Sequence, residues 1–262
     1  MEMSNIPEEC ISHIISFTSP KDACRLSLVS PLFRSASESD AVWGKFLPHD
    51  YKDLIVRRSE PGPSLDSMTK KALFFYLCDN PILIDNGIMS FRLEKQSGKK
   101  CFMIASRALS IIWGDTGHYW KRISLPETRF SEVAKLSYVW WLEINGKVET
   151  NILSRETTYG AYFVYKLGER HVGFNQKTVQ LRVNCEGKGN ENARNVCLDP
   201  SRNVPPLPRD RGDGWMEVEM GEFFNEQGED GSVLCGLKEL DYYNRKCGLI
   251  VEGIELRPKG VA

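Results

Sequence analysis

The side chains best able to do chemistry in this chain are four histidines, eight cysteines and one carboxylate-rich stretch. Glu217, Glu219, Glu222, Glu226, Glu229 and Asp230 could supply the two carboxylates of a glycoside hydrolase, one as acid and one as base or nucleophile. Their alternation with Met216, Val218 and Met220 reads more simply as the solvated face of a strand and the turn that follows. His13, His49, His118 and His171 fall in no metal-binding or triad-like motif, and no glycine-rich phosphate loop follows a strand. The cysteines form no C-x-x-C pair, and a zinc set of Cys185, Cys197 and His171 fails on the eleven residues between its cysteines. Reduced, mostly buried thiols are expected, with no metal, no cofactor and no intrinsic catalysis. The chemistry left to the chain is binding.

The elements that would position binding residues change character along the chain. From about Asp85 onward the apolar residues alternate. Val179, Leu181 and Val183 point one way, against Gln180, Arg182 and Asn184, and Tyr159 to Tyr165 is rich in strand formers. Ile144-Asn145-Gly146-Lys147 carries a hairpin-turn signal, Leu125 to Leu136 has a helical look, and Pro200 to Gly214 reads as a surface loop. Strands separated by turns predict an antiparallel sandwich. Strand parity groups Trp140 with Leu142 and Ile144 and leaves Trp141 on the other face, as a contact residue if that face is uncovered. Trp215, in parity with Glu217 and Glu219, is either exposed or caps the sandwich edge.

The first forty-eight residues read instead as short amphipathic helices. Ser19-Pro20, Ser30-Pro31 and Ser39-Asp40 each place a side-chain acceptor before a new helical turn, and proline at the first helical position loses no hydrogen bond there. Cys10, Ile11, Ile14 and Ile15 recur at helical spacing, as do Ala23, Leu26 and Val29. So small a set of helices buries little apolar surface, so stabilisation must come from a partner chain. Residues 49–86 predict a linker broken at Pro61-Gly62-Pro63, then a helix capped by Ser67 and packed on the second domain.

With 34 basic and 35 acidic residues the formal charge is −1, so no broad field exists to hold nucleic acid or an anionic membrane. No run approaches the 18 or so apolar residues of a membrane span, and no Asn-x-Ser/Thr acceptor occurs. A cytoplasmic or nuclear place of work is expected.

Two resemblances sharpen this reading. Ile6-Pro7, the helix with Ile11 and Ile14, Leu26 to Ser30 and the closing Val42-Trp43 resemble an F-box, the motif by which substrate receptors join the Skp adaptor and cullin scaffold of SCF-type ubiquitin ligases. That resemblance implies adaptor contacts at Ile6, Pro7, Ile11, Ile14, Leu28, Val29 and Trp43. Lys99 to Ser106, Ile112 to Thr116 with Tyr119-Trp120, Asp213 to Glu217 and Gly248 to Glu255 resemble the phloem protein two family, plant lectin-like domains related to the tobacco jasmonate-induced lectin. The combination is similar to the F-box branch of that family. It implies an α+β chain: an F-box at 1–48, a linker with a packed helix at 49–86, and a jelly-roll type antiparallel β-sandwich at 87–260.

The family's two sugar-contacting tryptophans fall on Trp113 and Trp120, and the resemblance implies binding of N-acetylglucosamine oligomers or N-glycan cores. A pyranose lays its C–H face on an indole while its hydroxyls need polar neighbours such as Asp115, Thr116 or Tyr119, with Trp141 as a further contact. Trp113 also ends the strand-like Ser110-Ile111-Ile112 and would serve equally as core. Three roles therefore stand open. The chain is a ligase receptor for glycosylated targets, a receptor whose sandwich binds a protein surface without sugar, or a stand-alone lectin with a vestigial F-box.

Overall fold

The structure is a computed structural model that describes residues 6–175, 177–186, 192–203, 205–228 and 231–260. Residues 1–5 of the F-box region, and Glu229 and Asp230 of the acidic stretch, lie outside the described residues. The chain divides into two compact units, Met1–Asp85 with Phe91–Cys101, and Asn86–Ser90 with Phe102–Ala262.

The first unit is built from α1 (Glu8–Ile15), α2 (Pro20–Leu26), α3 (Pro31–Glu38), α4 (Asp40–Phe46), α5 (Tyr51–Val56) and α6 (Lys70–Asp79). The serine caps form as expected. The side chains of Ser19, Ser30 and Ser39 accept hydrogen bonds from the backbone N–H of Asp22, Phe33 and Ala41. The last helix is capped by Thr69 rather than Ser67, because the Thr69 hydroxyl is the one that reaches the N–H of Ala72.

The centre of this unit is Trp43. Its ring lies 5.5 Å from Phe46 and 5.2 Å from each of Phe74 and Phe75, and its Nε1 donates to the Ser37 carbonyl at 2.6 Å. Helix α6 packs on α4, with Phe74 and Phe75 against the Trp43 ring. Ile11 and Ile15 are buried as well, and the Ser12 hydroxyl donates to the Ala36 carbonyl at 3.0 Å, tying α1 to α3.

The strands are β1 (Ile82–Ile84), β2 (Met89–Leu93), β3 (Lys100–Ala105), β4 (Ser110–Ile111), β5 (Trp120–Ile123), β6 (Val133–Leu136), β7 (Leu142–Glu149), β8 (Thr157–Val172), β9 (Val179–Cys185), β10 (Asn192–Val196), β11 (Arg209–Asp210), β12 (Met216–Asn225), β13 (Ser232–Glu239) and β14 (Cys247–Pro258). In the second unit one sheet runs through β14, β8, β12 and β11, with β6 also on β14 and β5 on β6. A smaller sheet has the order β10-β9-β13-β7-β4, and every described pairing is antiparallel. The alternation read from the sequence is realised in β9 and β7, whose Val179, Leu181, Val183, Leu142, Ile144 and Val148 are buried.

Several expectations are corrected. Asn145-Gly146 is no turn but the middle of β7, where both neighbours pair with β13. A Cβ on Gly146 would sit 3.0 Å from Ile254 Cδ1 and from Leu109 Cδ2, so the glycine serves the close approach of the two sheets. The helical look of Leu125 to Leu136 gives way to β6, whose Ala134 and Lys135 pair with Val251 and Ile250 of β14. Trp215 is buried, donating from Nε1 to the Glu127 carbonyl at 3.0 Å, with the Lys166 ammonium 4.5 Å from its ring centre. Glu217 is not a solvated carboxylate either. It is buried among guanidinium groups, 2.9 Å from Arg211 and 2.5 Å from Arg257, beside the equally buried Glu255. Strand parity could not show this, because the covering arginines come from the loop before β12 and from the end of β14.

Candidate functional site

Two surfaces, one on each unit, hold the residues that can bind. On the first unit the helices are too short to hide all their apolar side chains, and one set is left outward. Leu28 is 79% exposed, Phe17 76%, Val29 63% and Ile14 60%. Ile6 and Pro7 are exposed as well. Two expected adaptor contacts are placed differently: Ile11 is 3% exposed and Trp43 fully buried, so both act by holding the helices together. Ile11 shares the buried face of α1 with Ile15, four positions on, while Ile14 stands at the edge of that face and stays exposed. Phe17, missed in the sequence, lies one residue beyond α1's C-cap, outside the periodic window; its ring meets His13 edge-on at 4.8 Å.

On the second unit, β4 ends in a tight turn that carries Trp113. Its backbone has φ = +57°, a left-handed conformation that costs a bulky residue roughly 1–2 kcal/mol. The turn is closed by hydrogen bonds from Thr116 N to the Trp113 carbonyl at 2.9 Å and from Trp120 N to the Thr116 carbonyl at 3.0 Å. It turns the Trp113 indole outward, 46% exposed, with Asp115 and Thr116 exposed beside it. Trp120 is the opposite case. It opens β5 opposite Leu136, is 2% exposed, and its Nε1 has no partner among the described residues. Its ring is core, and the expectation that it stacks on a sugar does not fit that position.

Other rings take its place. Tyr119 lies 5.5 Å from Trp113 and from Tyr138, His118 packs on both tyrosines at 5.4 and 5.2 Å, and Trp140 continues the series 5.7 Å from Tyr138. The Tyr138 hydroxyl hydrogen-bonds the His118 ring, and the Arg245 guanidinium sits 5.0 Å from the Tyr138 ring centre. These spacings are those of rings in contact, so the series forms one surface. Trp140 is exposed rather than inward. It lies in a bend before β7, after the isolated bridge between Val139 and Lys246, so strand parity does not reach it. Trp141 is half-buried, its Nε1 donating to Glu143 Oε2 at 3.2 Å and its ring edge-on to Tyr242 at 6.1 Å.

Lys246 holds this surface from behind. Its ammonium is buried, donates to the carbonyls of Trp140 and Asp241, and pairs with Glu239. Burial pushes it down, to about 8. Both backbone groups of Lys246 bond Val139, at 2.8 and 2.9 Å, so a single residue ties the Trp140 bend to the loop that presents Tyr242 and Tyr243. His118, Tyr138, Trp140 and Arg245 were not legible as site residues, although the run Tyr138-Val139-Trp140-Trp141 is an aromatic signal in its own right. Among the described residues no group of His, Cys, Asp or Glu could hold a metal ion, and no helix is long and apolar enough to cross a membrane.

Comparison with known proteins gives the following. The family model of phloem protein 2 matches residues 99–258, and that of the F-box domain matches residues 3–45. The chain is 45% identical over 261 residues to "F-box protein PP2-B10" of Arabidopsis thaliana, an alignment covering 97% of this chain and 93% of the relative. It is 41% identical to "F-box protein SKIP3" of the same plant, over 98% of this chain and 88% of that one. Among solved structures it is similar to a family 35 carbohydrate binding module from Clostridium thermocellum. The TM-score there is 0.34 at 10% identity, over 60% of this chain and 96% of that one, too distant to carry an argument about function.

Proposed function

The chain belongs to the phloem protein 2 family and carries an F-box, and from that premise we propose that it is a substrate receptor of an SCF-type ubiquitin ligase. The F-box docks the Skp adaptor, which links it to the cullin scaffold. The lectin-like domain holds a glycosylated target by N-acetylglucosamine oligomers or N-glycan cores. Ubiquitin transfer is left to the partners, in the cytoplasm or nucleus.

The observation that carries this reading is the outward apolar set Ile14, Phe17, Leu28 and Val29 on helices this short. Large apolar side chains left exposed in such numbers on so small a unit mark an interaction surface, and the chain in and after α1 and the residues that follow α2 both contribute. For the target, the series from Trp113 to Trp140 offers exposed ring faces, with Asp115, Thr116 and His118 supplying polar partners for hydroxyls. Each ring contact contributes roughly 0.5–1.5 kcal/mol beyond burial, so a platform of this kind gives a weak single-site affinity. Weak capture suits a receptor that must release its modified target.

A second reading rests on a specific observation. Tyr243 is 99% exposed, and together with Tyr242, Trp140 and Arg245 it has the Tyr, Trp and Arg composition of protein-binding hot spots. That favours recognition of a protein surface without sugar. The deciding experiment uses the full chain. Co-purification with the adaptor is measured for wild type and Leu28→Asp, and binding of chitin oligomers and N-glycan cores for wild type and Trp113→Ala, Trp140→Ala. Loss of adaptor in the first and of sugar in the second, both variants folded, supports the receptor for glycosylated targets. Target capture that survives the tryptophan changes supports the protein-surface reading, and a wild type that ignores the adaptor makes the molecule a stand-alone lectin.

A further inference from the structure

The outer face of the smaller sheet carries a depression that the aromatic surface does not include. Cross-strand register places Arg182, Gly236, Asn145 and Ser110 in one row across β9, β13, β7 and β4, with Asn184, Leu234 and Lys147 in the row on one side and Gln180, Lys238 and Glu143 on the other. At the crossing of these rows lies a cavity of about 210 Å³, lined by Gly236, Leu234, Asn184, Arg182, Asn145 and Lys238.

Three features fit it to a particular kind of guest. The floor is apolar and low: Gly236 has no side chain, a Cβ there would lie 2.9 Å from Asn145 Oδ1, and Leu234 is 42% exposed beside it. The rim is made of the amides of Asn145 and Asn184, which both donate and accept, and the cations of Arg182 and Lys238, which donate, the group types that sugar hydroxyls bond. The volume lies below the ~300 Å³ at which ligand pockets begin, so it admits one ring and not a chain.

We propose that this depression is a subsite for one pyranose unit, seated with its C–H face over Gly236 and Leu234 and its hydroxyls on Asn184, Arg182, Asn145 and Lys238. The subsite rests on the reading of the second unit as a sugar binder and extends it. Glu143 connects the two regions: its carboxylate is 2.9 Å from Lys238, 3.2 Å from Asn145 Nδ2 and 3.2 Å from Trp141 Nε1. The hydrogen bond from Lys238 keeps Glu143 below the usual carboxylate range, so it is an anion at neutral pH and holds all three partners. From Gly236 to the β4 edge that leads into Trp113 is two strand spacings, about 10 Å. A glycan of several units can therefore start on the aromatic surface and end in the depression.

The test is titration of the full chain with chitobiose and with chitotetraose, for wild type, Asn184→Ala, Gly236→Val and Trp113→Ala, with thermal unfolding to confirm that each is folded. The wild type binds the tetramer more tightly than the dimer. Asn184→Ala removes one amide from the rim and lowers tetramer affinity roughly three- to tenfold, one or two hydrogen bonds' worth, with dimer affinity unchanged. Gly236→Val fills the floor and erases the tetramer's advantage. Trp113→Ala weakens both ligands. If Asn184→Ala and Gly236→Val keep the tetramer's advantage while Trp113→Ala loses binding, the depression holds only solvent or a protein side chain, and the subsite is refuted with the sugar reading intact. If the wild type binds neither oligomer, both fall together.

Discussion

Truncating Leu28 to alanine separates docking from folding more cleanly than any other change in the first unit. The side chain is 79% exposed and follows α2. Burial of a whole leucine is worth about 1.5–3 kcal/mol, and with four-fifths of the surface available and Cβ retained the loss is about 1–2 kcal/mol. That is roughly a five- to thirtyfold weaker complex with the adaptor. The melting temperature of the chain alone should not move, since nothing in its own core is removed. Ile11→Ala provides the contrast: 3% exposed, it leaves a cavity under α1 and costs about 2–5 kcal/mol of stability. The assay is calorimetric titration of the full chain with the adaptor, paired with thermal unfolding of each variant. Affinity of Leu28→Ala within twofold of wild type, in a folded chain, would refute the claim that this exposed set is the docking face.

The two tryptophans once expected to act together should part. Trp113→Ala lowers sugar affinity with a melting temperature near wild type, whereas Trp120→Ala costs about 3–5 kcal/mol of stability, both read by titration and thermal unfolding. Gly146→Val forces a side chain against Ile254 and Leu109 and should cost about 1–3 kcal/mol in denaturant unfolding, with little change in adaptor binding. Burial opposes ionisation of Asp199, but hydrogen bonds from Ser201 and His171 outweigh it and hold its carboxyl below the usual 3.8. Its folded value is the lower one, so its contribution is complete above pH 3.8 and is lost as pH falls through the folded value. The stability gap between wild type and Asp199→Asn should therefore be constant near neutrality and shrink only in acid.

The parts of this fold legible in the sequence were those decided locally. A serine before a proline caps a helix whatever surrounds it, and Val179-Gln180-Leu181 alternates because each residue meets only its own face. The misreadings came where distant chain decides. Asn145-Gly146 carries turn chemistry, but β13 and β4 pair on either side of it and Ile254 needs the space a side chain would take. Glu217 looked solvated because Arg211 and Arg257 are not its neighbours in sequence. The same holds for the site. Trp113 and its turn lie in one short stretch, while Tyr138, Trp140 and Arg245 join them through the bridge from Val139 to Lys246, across more than a hundred residues. Periodicity assigned Trp140 to the core since it cannot register a bend, and made no distinction between Ile11 and Trp43 as contacts or as support.

The outward apolar set on the first unit also bears on how long a molecule of this protein survives. A chain showing Phe17, Leu28 and Val29 to solvent leaves apolar surface uncovered that a bound adaptor would shield. By mass action, an adaptor present at a hundred times its dissociation constant adds about 2.7 kcal/mol to the folded state. On the proposed docking, chains without an adaptor are the less stable ones, so the supply of adaptor would limit how many receptors persist.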